Sequence, residues 1–76
     1  MQRGVPYAGY QVPVSLSDRE RQILRLLAEG RDTSEIASLM CYSERTVKGV
    51  IHGMTTRLQL RNRSHAVAFA LRNELI

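Results

Sequence analysis

The residues of this chain that could do chemistry are mostly bases, and their placement says what they could bind. Arg45, Lys48, Arg57, Arg61 and Arg63 follow one another with no acid among them, whereas ahead of Glu44 five arginines are balanced by five acids. Ten of the eleven bases are Arg, whose planar fork of donors fits phosphate oxygens and the O6/N7 edge of guanine. The net charge is +4 and the isoelectric point about 10.0. One half of the chain therefore reads as facing a polyanion. Other chemistries find little support. His52 and His65 stand thirteen residues apart on different expected helices, and with Cys41 they match no metal-ligand spacing. A Ser/His/Asp nucleophile system has candidates only in the sense that those residue types occur. A chain of 76 residues and 8.6 kDa has few residues to wall a pocket. No enzyme activity, metal or cofactor is expected.

The elements that must hold these bases read as helices. Ser17 followed by Glu20 is a capping box with Leu16 just before it, and Ile23, Leu24, Leu27 and Ala28 then recur at helical spacing up to Gly30. Asp32 with Glu35 repeats the start signal for a short second helix burying Ile36, Ala37, Leu39 and Met40. Ser43 caps a third helix over about 44–58, with Glu44 complementing its dipole. Asn62 or Ser64 opens a fourth, running to about Asn73. No segment alternates with period two. The expected class is all-α, a four-helix bundle over residues 15–76, with residues 1–14 (both prolines, two tyrosines) as a flexible tail or linker. The second and third helices are joined by little more than Cys41, Tyr42 and Ser43. Such a joint makes a helix-turn-helix, whose second helix enters a major groove. Cys41 is expected to pack in that turn.

The third helix splits into two faces. Val47, Val50, Ile51, Met54 and Leu58 form the expected buried stripe. Arg45, Lys48, Gly49 and His52 lie opposite and carry donors but no carboxylate. The helix start also offers the backbone N–H groups of Arg45 and Thr46 to a phosphate. Arg57, Arg61 and Arg63 are candidates for clamping phosphates beyond the helix end, with pairing to an acid of the first helix as the other reading of Arg57. Arg31 is a candidate backbone contact. In the fourth helix, Ala66 to Leu71 are consecutively apolar. Val67, Ala70 and Leu71 can serve the core, leaving Ala66, Phe69 and Asn73 as an outward patch for a second copy, with Ala70 at its margin.

At these residues the chain resembles the LuxR/NarL-type, or GerE-like, DNA-binding domain of bacterial transcription regulators. The matching elements are Leu16-Ser17 with Arg19-Glu20, Ile23-Leu24, Leu27, Gly30 and Glu35-Ile36-Ala37. They continue through Ser43, Thr46-Val47-Lys48, Leu58, Asn62-Arg63-Ser64 and Ala66-Val67, and the likeness covers about residues 16–71. It implies a four-helix regulator that binds double-stranded DNA as a homodimer on an inverted repeat, with RNA polymerase as a further candidate partner. Ser43, Thr46, Val47 and Lys48 map onto the start of the recognition helix, Gly49 and His52 onto its next groove-facing positions, and Arg63 to Asn73 onto the dimer helix. Two positions depart from the family pattern. Val50 stands where His is usual, and Gly49 removes a side chain from the groove. With Gly53 it weakens the helix by about 1 kcal/mol per glycine relative to Ala.

Two other functions use similar scaffolds: a sigma-factor-like promoter-recognition domain, and a helical protein-interaction module that does not read DNA. The fourth helix after Asn62-Arg63-Ser64 argues against the first. A single cysteine, no long apolar run and no basic-then-apolar start point to a cytoplasmic protein away from membranes.

Overall fold

Each helix begins at a side chain that takes over an unpaired backbone N–H. The structure, a computed structural model, describes residues 15–76 and contains α1 (Asp18–Ala28), α2 (Thr33–Met40), α3 (Glu44–Arg57) and α4 (Arg63–Arg72), with no strand among the described residues. Residues 1–14, expected as a tail or linker, lie outside them. The Ser17 hydroxyl accepts from the Glu20 N–H while the Glu20 carboxylate accepts from the Ser17 N–H, both at 3.0 Å. Asp32 and Glu35 form the same reciprocal pair at 2.8 and 3.0 Å. Ser43 and Asn62 accept from the Thr46 and His65 N–H groups. Such caps are worth about 1 kcal/mol each.

The four ends are alike as well, though the sequence signals only one of them. Gly30, Cys41, Gln59 and Glu74 all take positive φ, at 87°, 60°, 57° and 55°. After each, the next N–H bonds back to a carbonyl five residues earlier: Arg31 to Leu26, Tyr42 to Ala37, Leu60 to Thr55 and Leu75 to Ala70, at 2.8–3.1 Å. This closes the carbonyls that a helix end leaves open. Gly30 does so without steric penalty, while the other three hold an L-residue in the left-handed region. Cys41 is exposed in this role; it makes the turn by its backbone, not by packing as expected.

Two buried groups hold the helices together. Ile23, Ile36, Ala37, Val47 and Ile51 join α1, α2 and α3. Leu16, Leu24, Met54, Ala66 and Ala70 join α1, α3 and α4, and Leu27 packs against both groups. The expected stripe of α3 is therefore its core face, with Val47 and Met54 fully buried.

Other core expectations need correcting. Leu39, expected inside, is 56% exposed on the far side of α2, and Ala28 is exposed. In α4 the small residues go in and a large one stays out: Ala66 and Ala70 are buried, Leu71 is 56% exposed and Phe69 half-buried. Alanines let α4 approach α1 and α3 closely, so volume rather than hydrophobicity sets its inward face. Ala66 and Ala70 therefore cannot belong to a dimer patch.

One polar clasp ties the far end of α3 to the start of α1. Both terminal nitrogens of Arg57 donate to Glu20, at 2.7 and 2.8 Å, and one also donates to the Ser15 carbonyl. Arg57 accordingly holds the Glu20 carboxyl below its ordinary pKa of 4.5. A depressed carboxyl contributes stability that is present above its unfolded pKa and lost as pH falls through the folded one. Glu20→Gln keeps an acceptor for the cap but removes the charge. We expect urea melts to show wild type more stable than E20Q at neutral pH, with the gap closing as pH falls below about 4.5. A gap that stays constant through that range would mean the charge contributes nothing.

Candidate nucleic-acid interface

The α2–turn–α3 joint sets the outward face of α3. Core burial of Val47, Ile51 and Met54 turns Arg45, Lys48, Gly49 and His52 to solvent, and all four are exposed. Gly49 and Gly53 have no heavy atom within 4 Å of where a Cβ would sit. Nothing in the described domain covers this face or requires glycine on it. At the head of α3, Thr46 is exposed; its N–H and hydroxyl oxygen both engage the Ser43 hydroxyl, at 3.0 and 2.9 Å. That hydroxyl occupies the cap, which leaves the N–H groups of Glu44 and Arg45 as the ones able to meet a ligand.

Beside this face runs an open groove of about 260 Å³ between α3 and the start of α4, lined by Lys48, Ile51, His52, Thr55, Asn62 and Arg63. Its polar lining holds two cations, a hydroxyl, an amide and an imidazole, with no carboxylate. The Thr55 hydroxyl donates to the Ile51 and His52 carbonyls, so its lone pairs, not its proton, face a ligand. The Asn62 carbonyl oxygen serves the α4 cap, which leaves its amide donors free for an anion.

The sequence-selected residues do not all gather here. Arg45, Thr46, Lys48, Gly49, His52 and Arg63 share the α3 side of the domain. Arg61 is exposed in the loop before α4, where its N–H donates to His65 Nδ1 at 3.0 Å. Ser43 acts as a cap. Val47 is fully buried, so its side chain supports the face and cannot touch a ligand. Arg57 is held by Glu20 and Ser15; of its two readings, pairing to the first helix is the one realised. Arg31 lies between Glu29 and Glu35, at 3.7 and 3.8 Å. It lines a second groove of about 290 Å³ with Leu27, Ala28, Gly30, Arg63, Ser64 and Val67. Asn73 is exposed, and its amide donates to the Phe69 carbonyl at 2.8 Å.

Glu44 is the residue that sequence reasoning undervalued. Its Oε2 accepts from the Thr33 hydroxyl of α2 at 3.1 Å and lies 3.7 Å from Lys48 Nζ. A carboxylate therefore does border the face expected to have none. The Glu44–Lys48 spacing of four was legible as a helix pair; the bond to Thr33 is tertiary and was not.

Comparison with known proteins agrees with this geometry. Residues 14–70 match GerE, described as bacterial regulatory proteins of the luxR family. The chain is similar to the response regulator protein VraR of Staphylococcus aureus and to its namesakes in Staphylococcus saprophyticus and Staphylococcus epidermidis. Each is 36% identical over 61 residues, covering 80% of this chain and 29% of the relative. The chain thus spans less than a third of the length of the curated relatives it matches. Four helices, the tight α2–α3 joint and the match over most of the chain place it plainly: it belongs to the luxR family of bacterial regulatory proteins.

Proposed function

We propose that this chain binds double-stranded DNA sequence-specifically, laying α3 in the major groove. Its family is one of DNA-binding transcription regulators. The observation that carries the reading is the exposed face of Arg45, Lys48, Gly49 and His52, locked outward by the buried stripe beneath it. Donors on that face reach guanine edges and phosphates, while glycine lets the helix backbone come close to the duplex. The donors of Lys48, Asn62 and Arg63 in the groove suit one backbone phosphate, and Arg61 and Arg31 suit its neighbours along the strand.

Two copies are proposed to act together on an inverted repeat, with their α3 helices about one helical turn apart. Val67 and Leu71 with Ala28 replace the alanines as the apolar surface for the second copy, while half-buried Phe69 lies on the opposite flank of α4. Residues 64, 67 and 71 follow i, i+3, i+7, so Ser64, Val67 and Leu71 make one stripe. No helix among the described residues is long and apolar enough to cross a membrane; a cytoplasmic site of action is part of the same proposal. Recruitment of RNA polymerase belongs to the whole regulator and is proposed only at that level.

Lys48→Ala and Arg45→Ala should each weaken duplex binding by about 1–3 kcal/mol. Loss of a phosphate contact should also flatten the dependence of log affinity on log salt by about one. If both variants bind as wild type does at moderate salt, the DNA reading is wrong. Gly49→Ala should stabilise the fold by about 1 kcal/mol, since its Cβ meets no atom, yet lower duplex affinity. Unchanged affinity would mean the backbone does not approach the DNA closely. Leu71→Glu should leave half-site binding intact and abolish cooperative binding to a full inverted repeat, read by band-shift titration. Equal cooperativity in the variant would remove α4 from the dimer.

A further inference from the structure

Glu44 stands where a carboxylate is costly for a protein facing phosphates, yet the structure builds it in. Thr33 is buried and polar, and its hydroxyl donates to Glu44 Oε2, fixing the head of α3 to the first turn of α2. The same oxygen lies 3.7 Å from Lys48 Nζ. Four residues apart, the two side chains are separated by only about 40° around the helix. Glu44 therefore sits on the flank of the exposed face, with its side chain about half exposed. Both contacts use Oε2, so Oε1 is the oxygen left to accept from a ligand.

We infer that Glu44 is a specificity-determining residue that accepts from an amino group in the major groove, cytosine N4 or adenine N6, and rejects duplexes offering none there. The inference rests on the DNA reading above. A carboxylate is acceptor-only, and among base edges only cytosine N4 and adenine N6 offer it an amino donor in the major groove. Where the duplex presents guanine O6 or thymine O4, Glu44 meets an acceptor and the surrounding phosphates, with no donor to offset their repulsion. Anchoring by Thr33 keeps the carboxylate from swinging away. Rejection by repulsion and recognition by one hydrogen bond then come from a single side chain.

The experiment selects bound sequences from random duplexes with wild type and E44Q, and measures affinity for a random-sequence duplex. Wild type should fix C or A at one half-site position. E44Q, whose amide donates as well as accepts, should admit G or T at that one position, keep the rest of the half-site, and bind random duplex about fivefold more tightly, the effect of one exposed charge contact. Identical selected sequences and equal random-duplex affinity would overturn the role of Glu44. If E44Q unfolds, Thr33→Val, which removes the anchor and keeps the charge, must relax the same single position, and an unchanged preference there counts equally against the inference. Failure of wild type to select any duplex overturns the DNA reading itself, a result distinct from these.

Discussion

Arg57 reaches from the last turn of α3 to the first turn of α1, where two nitrogens engage both oxygens of Glu20. Glu20 also caps α1 through the Ser17 N–H, so a single carboxylate closes a helix start and anchors a helix end. Exposed ion pairs contribute little, and the Arg57 side chain is 46% exposed. The Glu20 side chain, however, is only 12% exposed, and the contact is bidentate, the geometry that adds both strength and direction. At the opposite end α3 is held by the bond from Thr33 to Glu44. Between these two ties Val47, Ile51 and Met54 are buried. A helix fixed at both ends and along one side can turn only one face outward, and that face is where the bases are.

This arrangement explains how α3 tolerates two glycines. In an isolated helix they would weaken it by about 2 kcal/mol together, enough to fray an unsupported end. Here Gly49 and Gly53 lie between the ties, on the side where nothing packs. Their weakness falls on a segment whose core side is already committed. Most of the energetic hold comes from burial and the termini, and little from the propensity of the exposed positions. Those positions are consequently open to change for recognition without loss of the fold.

The parts of the molecule legible in the sequence are those set by local rules. Ser17 with Glu20, Asp32 with Glu35, and Ser43 mark helix starts because a cap and its target are only three residues apart. The two faces of α3 follow from its period. Helix ends were legible only at Gly30; Cys41, Gln59 and Glu74 make the same turn with residues that carry no such signal. The face of α4 was misread for a related reason. Consecutive apolar residues give no direction, and close approach favours Ala66 and Ala70 inside over Leu71. An acid of the first helix is a readable partner for Arg57, and Lys48 a readable partner for Glu44, but that the acid is Glu20 and that Glu44 also meets Thr33 depends on how the helices pack. Pairing at a distance is tertiary information, and one sequence does not carry it in readable form.

The size of the domain also bears on how it could achieve specificity. Along the exposed face of α3, side-chain donors come from Arg45, Lys48 and His52, and each good base contact is worth about 1–3 kcal/mol. One such face reads only a few base pairs, too few to single out a site among the many that a genome offers. Two remedies are open to so small a module: a second copy, which doubles the bases read, and rejection of wrong sequences, which sharpens each contact. The apolar stripe on α4 suits the first and Glu44 the second. They act on different terms. Doubling multiplies affinity for the full site, whereas an anchored carboxylate lowers affinity for everything else. A basic chain with net charge +4 binds any duplex to some degree through its phosphates, so lowering that background is as valuable as adding contacts. An acid placed at the head of the basic run of α3 is the least expensive way to do so, because it subtracts from every non-specific complex and is offset only where a base amine donates to it.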